Sequence, residues 1–338
     1  MIAGAIKKLI DGKNLDRDEM MQVFGEMMDG VASDIQKSAF VVSLRMKGET
    51  PEEITGAAMA MRQRVTPLDV KQANIVDTCG TGGDGRGTFN ISTVAAVVAA
   101  GAGALVAKHG NRAVSSACGS ADLLMELGVA VDLDAPRMTQ VLNRAGIAFL
   151  FAPKLHPAMG AVAGIRRELG VRTIFNVLGP LTNPAFAKRQ VIGVYSLHLV
   201  EIVARVLLAL GAEHALVVHS LDGLDEISVS APTYVAEVRE GDVGMYQVTP
   251  ESVGVRHHAI EEIAGGDRKE NARIARAVLA GEAGARSDIV AANAGAALYV
   301  AGLVGSIRDG VALAREALAG GRAAQKLDEL IAASREVA

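Results

Sequence analysis

Tryptophan is absent from this 338-residue chain, and only four tyrosines and seven phenylalanines are present. So meagre an aromatic content argues against a single-strand nucleic-acid binder, whose bases need aromatic platforms to stack on. Polybasic runs are missing as well and the net charge is −4, which removes the clustered Lys and Arg on which nucleic-acid binding rests. Cysteine is scarce: Cys79 and Cys118 make neither a disulfide scaffold nor a zinc site. Both are expected as thiols in a reducing compartment. None of the seven histidines has a second histidine at zinc-binding helical spacing with an acid between them, so a zinc hydrolase is excluded. The longest apolar stretch, Ile289–Gly305, is interrupted by Asn293 and is too short for a membrane span. The opening MIAGAIKKLIDGKNLD lacks the apolar core of a secretory signal. A cytoplasmic protein with neither a membrane nor a nucleic-acid partner is expected.

What is present is an ordinary folding composition, half apolar and 21% charged, rich in Ala, Val, Leu and Met. An aliphatic, helix-rich core follows. The first 65 residues read as four short helices. Asp16 with Glu19, and Thr50-Pro51 with Glu53, are capping-box patterns, while Gly12, Gly30 and Gly48 mark helix ends. Met20, Val23, Phe24, Met27 and Met28 recur at helical spacing, a core stripe. VTPLD at Val65–Asp69 reads as a linker. Beyond it, short β runs alternate with helices. The strands are expected at Asn74–Asp77, Leu105–Lys108, Ala130–Leu133, Ala148–Phe151, Val191–Tyr195 and Ala215–His219. Such alternation implies a largely parallel sheet covered by helices. Thr233–Arg239 and Met245–Val248, with EGDVG between them, read as an antiparallel hairpin.

The densest chemical signal is Asp77–Thr93, DTCGTGGDGRGTFNIST, where five glycines fall between Gly80 and Gly87. The layout is strand, glycine turn, helix. Glycine lets a ligand approach main-chain N–H groups without meeting a Cβ, and the following helix brings its positive end to the same place. Such a site suits phosphate; a tight strand–helix turn without ligand is the alternative. No GxxxxGK[ST] is present, so a P-loop is excluded. Gly80-Thr-Gly82-Gly-Asp-Gly85 has dinucleotide spacing, but Asp84 inside the cradle would repel a bare phosphate. That aspartate suits a hydroxyl, a water or a cation.

KHGNR at Lys108–Arg112 follows the second strand, and His219-Ser-Leu-Asp-Gly-Leu-Asp-Glu226 a later one. Ligands of open α/β sheets bind at the carboxyl ends of strands, so the three segments should converge. Lys108 offers a flexible point charge for phosphate, and Asn111, Arg112, Ser115 and Ser116 continue the donors. Ser120 is expected to cap the next helix. Asp225 and Glu226 on a loop can serve a hard cation such as magnesium, with Ser92 adding a hydroxyl; a solvated acidic turn is the alternative. Either Arg166 or Arg167 could grip a planar carboxylate.

Together these segments resemble the anthranilate phosphoribosyltransferases. The likeness is carried by GTGGDGRGTFNIST (Gly80–Thr93), VAKHGNRAVSSACGSAD (Val106–Asp122), FAPKLHPAM (Phe151–Met159), RRELGVRTIFNVLGPLTNP (Arg166–Pro184) and DGLDEIS (Asp222–Ser228). The fold this implies is α/β: a small N-terminal helical domain (1–70, joined by helices near 165–185) plus a larger α/β domain (71–338). The larger domain has a central, mostly parallel sheet of the nucleoside phosphorylase/phosphoribosyltransferase-like kind. The activity implied is displacement of pyrophosphate from phosphoribosyl pyrophosphate by the amine of anthranilate, in a homodimer using magnesium (Mg2+). By the resemblance, phosphoribosyl pyrophosphate falls to Gly80, Gly83, Asp84, Thr88, Asn90, Ile91, Ser92, Thr93, Lys108, His109, Gly110, Asn111, Arg112, Ala113, Val114, Ser115, Ser116 and Ser120. Anthranilate falls to Gly80, Asn111, His156 and Arg166, and the metal to Ser92, Asp225 and Glu226. No side chain is assigned as nucleophile or base; the carboxylate of anthranilate is a candidate proton acceptor. Gly164-Ile165 stands where the family pattern has Pro-Val, and His219-Ser220 where it has His-Gly. The first is expected to loosen the helix aiming Arg166, the second to add a side chain beside the metal loop. A pyrimidine nucleoside phosphorylase of the same fold and a non-catalytic nucleic-acid-binding relative are the rival readings.

Overall fold

Local capping builds the start of the chain. In the structure, a computed structural model describing residues 1–113 and 117–338, four helices come first. They are α1 (Ile2–Ile10), α2 (Arg17–Met28), α3 (Asp34–Lys47) and α4 (Pro51–Arg62). Helices α2 and α4 begin with the capping boxes expected from Asp16/Glu19 and Thr50/Glu53, and α3 adds a third from Ser33/Gln36. Each box satisfies two amides that would otherwise be orphaned. The methionine stripe is buried with Phe24 and Phe40. The VTPLD segment is tied at both ends, the Thr66 amide donating to the Leu155 carbonyl and the Leu68 amide to that of Pro184.

A seven-stranded sheet follows in the order β3-β2-β1-β4-β5-β6-β7. Its strands are β1 (Val76–Asp77), β2 (Val106–Gly110), β3 (Ile147–Phe151), β4 (Arg189–Gly193), β5 (His214–Ser220), β6 (Thr233–Arg239) and β7 (Asp242–Val248). The first five run parallel and the last two antiparallel. Helices α5 (Ile91–Gly101), α6 (Ser120–Leu127) and α7 (Ala135–Ala145) lie between the early strands. Short α8 (Ala152–Leu155), α9 (Gly160–Leu169) and α10 (Phe175–Leu178) precede β4, and α11 (His198–Ala209) precedes β5. The chain closes with α12 (Pro250–Val253), α13 (Arg268–Leu279), α14 (Ala285–Val300), α15 (Ile307–Ala319) and α16 (Arg322–Glu336).

Strand β5 shows how the two faces divide. Leu216 and Val218 join the core beneath α5 and α14, while Ala215 and Val217 join the core shared with α11 and the first four helices. That alternation is the period-2 geometry of a strand covered on both sides. Val162, Ile174, Phe175 and Leu178 also belong to the second core.

Two expectations fail at the level of elements. Ala130–Leu133 is not a strand. Val129, Val131 and Leu133 are buried alternately, but the Ala130 amide donates to Ser334 Oγ on α16 rather than to a sheet neighbour. Alternation reports burial, not the identity of the hydrogen-bonding partner. The hairpin turn is also shorter than EGDVG: β7 starts at Asp242, and Glu240 and Gly241 alone make the turn, both at positive φ. This is the two-residue geometry that matches strand twist.

Candidate active site

The glycine loop leaves β1 and lies against the end of β4. Thr81 donates its amide to the Gly193 carbonyl at 2.8 Å, and Thr81 Oγ1 accepts from the Tyr195 amide. A Cβ on Gly80 would come within 2.9 Å of the Gly193 oxygen, and one on Gly193 would overlap the Asp225 backbone. Three loops therefore stack so closely that side chains are excluded. Gly82, Gly83, Gly85 and Gly87 all take positive φ, which winds the loop back on itself.

Within that stack lie three carboxylates. Asp84 uses Oδ1 to accept from the Arg86 amide, but its Oδ2 is buried with no partner. Burial, and next the charge of Asp84, raises the pKa of Asp225. Burial and then the charge of Asp225 raises that of Glu226, against the pull of Lys108. Glu226 Oε1 accepts from the Ser92 amide at 3.1 Å. The helix start therefore holds a carboxylate already: Ser92, Thr93 and Val94 all have their amides engaged, the last two by Asn90 O. The positive end of α5, read from the sequence as suited to phosphate, is thus already met by the chain's own anion, Glu226.

Lys108 is buried and donates to the Thr78 carbonyl at 3.0 Å, to Thr78 Oγ1 and to Ser92 Oγ at 3.4 Å. Among the described residues it has no carboxylate partner in hydrogen-bond range. Asp77 below it is wholly buried, and burial pushes its carboxyl up to about 6 despite Lys108. Its oxygens receive the His109 amide and Asn183 Nδ2. Asp222 anchors the loop that carries Asp225 and Glu226. Burial would raise its pKa, but hydroxyls of Ser228, Ser230 and Ser220 hold it below the ordinary carboxylate range. Ser220, the departure noted from sequence, is fully buried and donates to the Pro232 carbonyl, so its added side chain braces the loop.

The other expected residues distribute as follows. Thr88 forms a bridge with Ala264, and Asn90 sends its amide to Cys118 O at 2.9 Å instead of capping α5. Ile91 and Thr93 have buried side chains. Gly110 leaves room for Ser120 Oγ and the Phe149 ring. Asn111 Oδ1 accepts from the Arg112 amide, and the Arg112 guanidinium sits 5.7 Å from the Phe151 ring centre. Ser120 is not the cap of α6. Gly119 holds that position, and Asp122 accepts from the amides of Gly119 and Ala113, leaving the Ser120 hydroxyl to donate to Asn111 O. Val114, Ser115 and Ser116 lie outside the described residues.

Arg166 is part-buried, its guanidinium 5.4 Å from the Phe175 ring centre, with no ion pair among the described residues. Burial draws its pKa down. His109 and His156 face each other, Nε2 to Nε2 at 3.1 Å. Arg172, missed from sequence, donates to the Gly83 carbonyl and lies over the Tyr195 ring at 4.3 Å. It sits in the same RRELGVRTIFN run as Arg166, the one signal that could have found it. Among the described residues, no three His, Cys, Asp or Glu side chains are grouped so as to hold a metal ion by themselves.

Comparison with known proteins places this geometry. Residues 3–65 match the glycosyl transferase family helical bundle domain, and residues 72–324 the glycosyl transferase family a/b domain. The anthranilate phosphoribosyltransferase of Anaeromyxobacter dehalogenans is 55% identical over 334 residues, 99% of each chain. That of Pelotomaculum thermopropionicum is 52% identical over 98% of this chain and 96% of its own. The crystal structure of the Thermus thermophilus enzyme superposes with a TM-score of 0.93 at 46% identity, covering 98% of this chain and 99% of that one. The Saccharomyces cerevisiae enzyme in complex with PRPP and Mg gives 0.90 at 28% identity, covering 99% and 98%.

Proposed function

Because this chain belongs to the anthranilate phosphoribosyltransferase family, and so transfers the phosphoribosyl group of phosphoribosyl pyrophosphate to the amine of anthranilate in tryptophan biosynthesis, we propose how its residues divide that work. The carrying observation is the meeting of Asp84, Asp225 and Glu226 with Ser92 and Lys108 at the carboxyl edge of the sheet. The sugar pyrophosphate lies along the glycine loop from Gly80 to Asp84, the turn from Thr88 to Thr93, and the segment from Lys108 to Ser116 with Ser120. Lys108, free of a carboxylate partner, turns its ammonium from the Thr78 carbonyl to the departing phosphate oxygens.

Magnesium fits Ser92, Asp225 and Glu226. All are hard oxygen donors, the orphaned Asp84 Oδ2 adds negative charge beside them, and so open a set leaves positions for water and substrate phosphate. Bound there, the ion would neutralise charge on the leaving pyrophosphate. The yeast relative was solved with PRPP and Mg.

Arg166 receives the carboxylate of anthranilate, since a part-buried guanidinium without an ion pair is suited to a bidentate contact. Gly80, Asn111 and His156 complete that pocket. Two substrates held by separate segments reach attack geometry without a strong base, because the arylamine is neutral near pH 7. Fixed charges supply the remaining stabilisation: at 4 Å and an effective dielectric of ~20 each is worth about 4 kcal/mol.

We also propose division into a helical domain (1–70, with helices near 165–185) and an α/β domain (71–338). A homodimer is supported by the exposed Ile10, Ile35 and Met46 on the first helices and Val31 between α2 and α3. A cytoplasmic location is supported by cysteines that are not joined in a disulfide. No helix among the described residues is long and apolar enough to cross a membrane.

The test is loss of anthranilate fluorescence on mixing the purified protein with anthranilate, phosphoribosyl pyrophosphate and magnesium. Loss requiring all three supports the assignment. Binding without loss would move the acceptor to another arylamine or nucleobase.

A further inference from the structure

The two buried histidines form a directed relay, and the division of labour above gives their ring nitrogens no proton to carry. His109 Nδ1 lies 3.2 Å from the Gly179 carbonyl. A carbonyl only accepts, so Nδ1 of His109 carries the proton and its Nε2 holds a lone pair. That Nε2 faces Nε2 of His156 at 3.1 Å, so His156 must donate from Nε2. Its second nitrogen, Nδ1, is then left as a lone pair, and no described residue hydrogen-bonds it. His156 is buried but for 8% of its surface, so this acceptor stands in a largely enclosed place with no group of the described chain to answer it.

We propose that His156 Nδ1 takes the proton from the amine of the acceptor substrate, and that His109, held by Gly179, is the positioning residue that fixes the required tautomer. The inference rests on the transferase reading for the identity of the amine. In the step, the amine nitrogen bonds to the anomeric carbon while the carbon–oxygen bond to pyrophosphate breaks and its electron pair leaves with pyrophosphate. The proton that makes the nitrogen cationic passes to His156 Nδ1 and afterwards to solvent.

Two physical points favour the assignment. Burial lowers the pKa of His109 to about 3 and of His156 to about 4, so both rings are neutral at pH 7 and the lone pair is available. An arylammonium is a strong acid, because its nitrogen lone pair rejoins the ring when the proton leaves, so a weak base suffices. The imidazolium formed keeps its Nε2–H bond to His109, as the third member of a catalytic triad steadies the charged base.

The tautomer is read first, in the substrate-free protein, by 15N NMR of ring-labelled histidine with His156→Gln to assign the signal. Protonated Nε2 and bare Nδ1 on His156 are expected; a proton on Nδ1 would overturn the relay without touching the transferase assignment. Single-turnover rates at saturating sugar pyrophosphate and magnesium then test the role. Gln at 156 can still hydrogen-bond but cannot take a proton, so His156→Gln should slow the step about 100-fold while the Kd for anthranilate moves less than about threefold. His109→Leu should slow it about tenfold and mix the His156 tautomers, whereas His109→Gln, whose Oε1 accepts from Nε2–H, should recover most of that loss. A change in Kd alone, with the single-turnover rate intact, would make His156 a wall of the pocket. Absence of turnover in the unmodified protein would instead remove the transferase reading, and the base role with it, while leaving the tautomer result standing.

Discussion

Glu53 in the helical bundle and Glu226 at the sheet edge are both buried carboxylates, yet the chain treats them in opposite ways. Glu53 receives the amides of Leu15 and Thr50, the Thr50 hydroxyl and the Lys47 ammonium, all between 2.8 and 3.1 Å. Both carboxylate oxygens are answered by the fold. Glu226 has the Ser92 amide and is otherwise crowded by Asp225 and Asp84, one of whose oxygens has no partner. A buried charge completed by its own chain is architecture. One left incomplete beside others of its sign is completed by something that binds.

The comparison breaks most sharply under substitution. Asp225→Asn with Glu226→Gln should lower turnover about 100- to 1000-fold and change the magnesium response. Folding stability should hold, or rise by about 1–2 kcal/mol, since like charges are removed from a buried place. The gain should depend on pH. An acid whose pKa is raised on folding binds its proton more tightly in the native state, so its contribution is whole below about pH 4 and is lost as pH climbs through the raised value. Urea denaturation in metal-free buffer should thus show the double variant level with the parent near pH 4 and ahead of it at pH 8. A gain independent of pH would mean the cluster carries no such strain.

Glu53→Ala is the mirror test. It leaves Lys47 buried without its partner and orphans two amides, so stability should fall by about 3 kcal/mol, with kcat unchanged within about twofold. Loss of turnover at full stability would erase the distinction between the two carboxylates.

These regions were unequally legible in the sequence. Capping boxes at Asp16 and Thr50 are local, three residues from cap to partner, and were read directly. The glycine loop, Lys108 and the Asp225-Glu226 pair were found because glycine and charge at strand ends are conspicuous one at a time. What brings them together is not. Arg172 reaches Gly83 across 89 positions and Asn183 reaches Asp77 across 106, and no spacing rule announces either. Ser120 was misread as a cap because Asp122 outcompetes it, and Ala130–Leu133 as a strand because its burial pattern is that of one. The carboxylate at the helix start was also out of reach, since Glu226 is 134 residues from the amide it engages.

Arg166 probes the same distinction with the opposite charge, being part-buried and without an ion pair among the described residues. Arg166→Ala should raise the KM for anthranilate about 10- to 100-fold, the worth of hydrogen bonds to a charged group, with the KM for the sugar pyrophosphate little changed. A rise in the latter instead would reverse the two pockets.

The smallest effect concerns the helix that carries Arg166. Helices α2, α3 and α4 each open with a completed capping box, whereas α9 has no side-chain cap and holds Gly164 in its interior. A Cβ at Gly164 would meet nothing within 4 Å, so packing does not require glycine there. Gly164→Ala should therefore stabilise the protein by up to about 1 kcal/mol, through the backbone entropy glycine retains when unfolded. If the looseness of α9 also blurs the aim of Arg166, the KM for anthranilate should fall with it; a stability gain with an unmoved KM would show that the Phe175 ring alone holds the guanidinium in place.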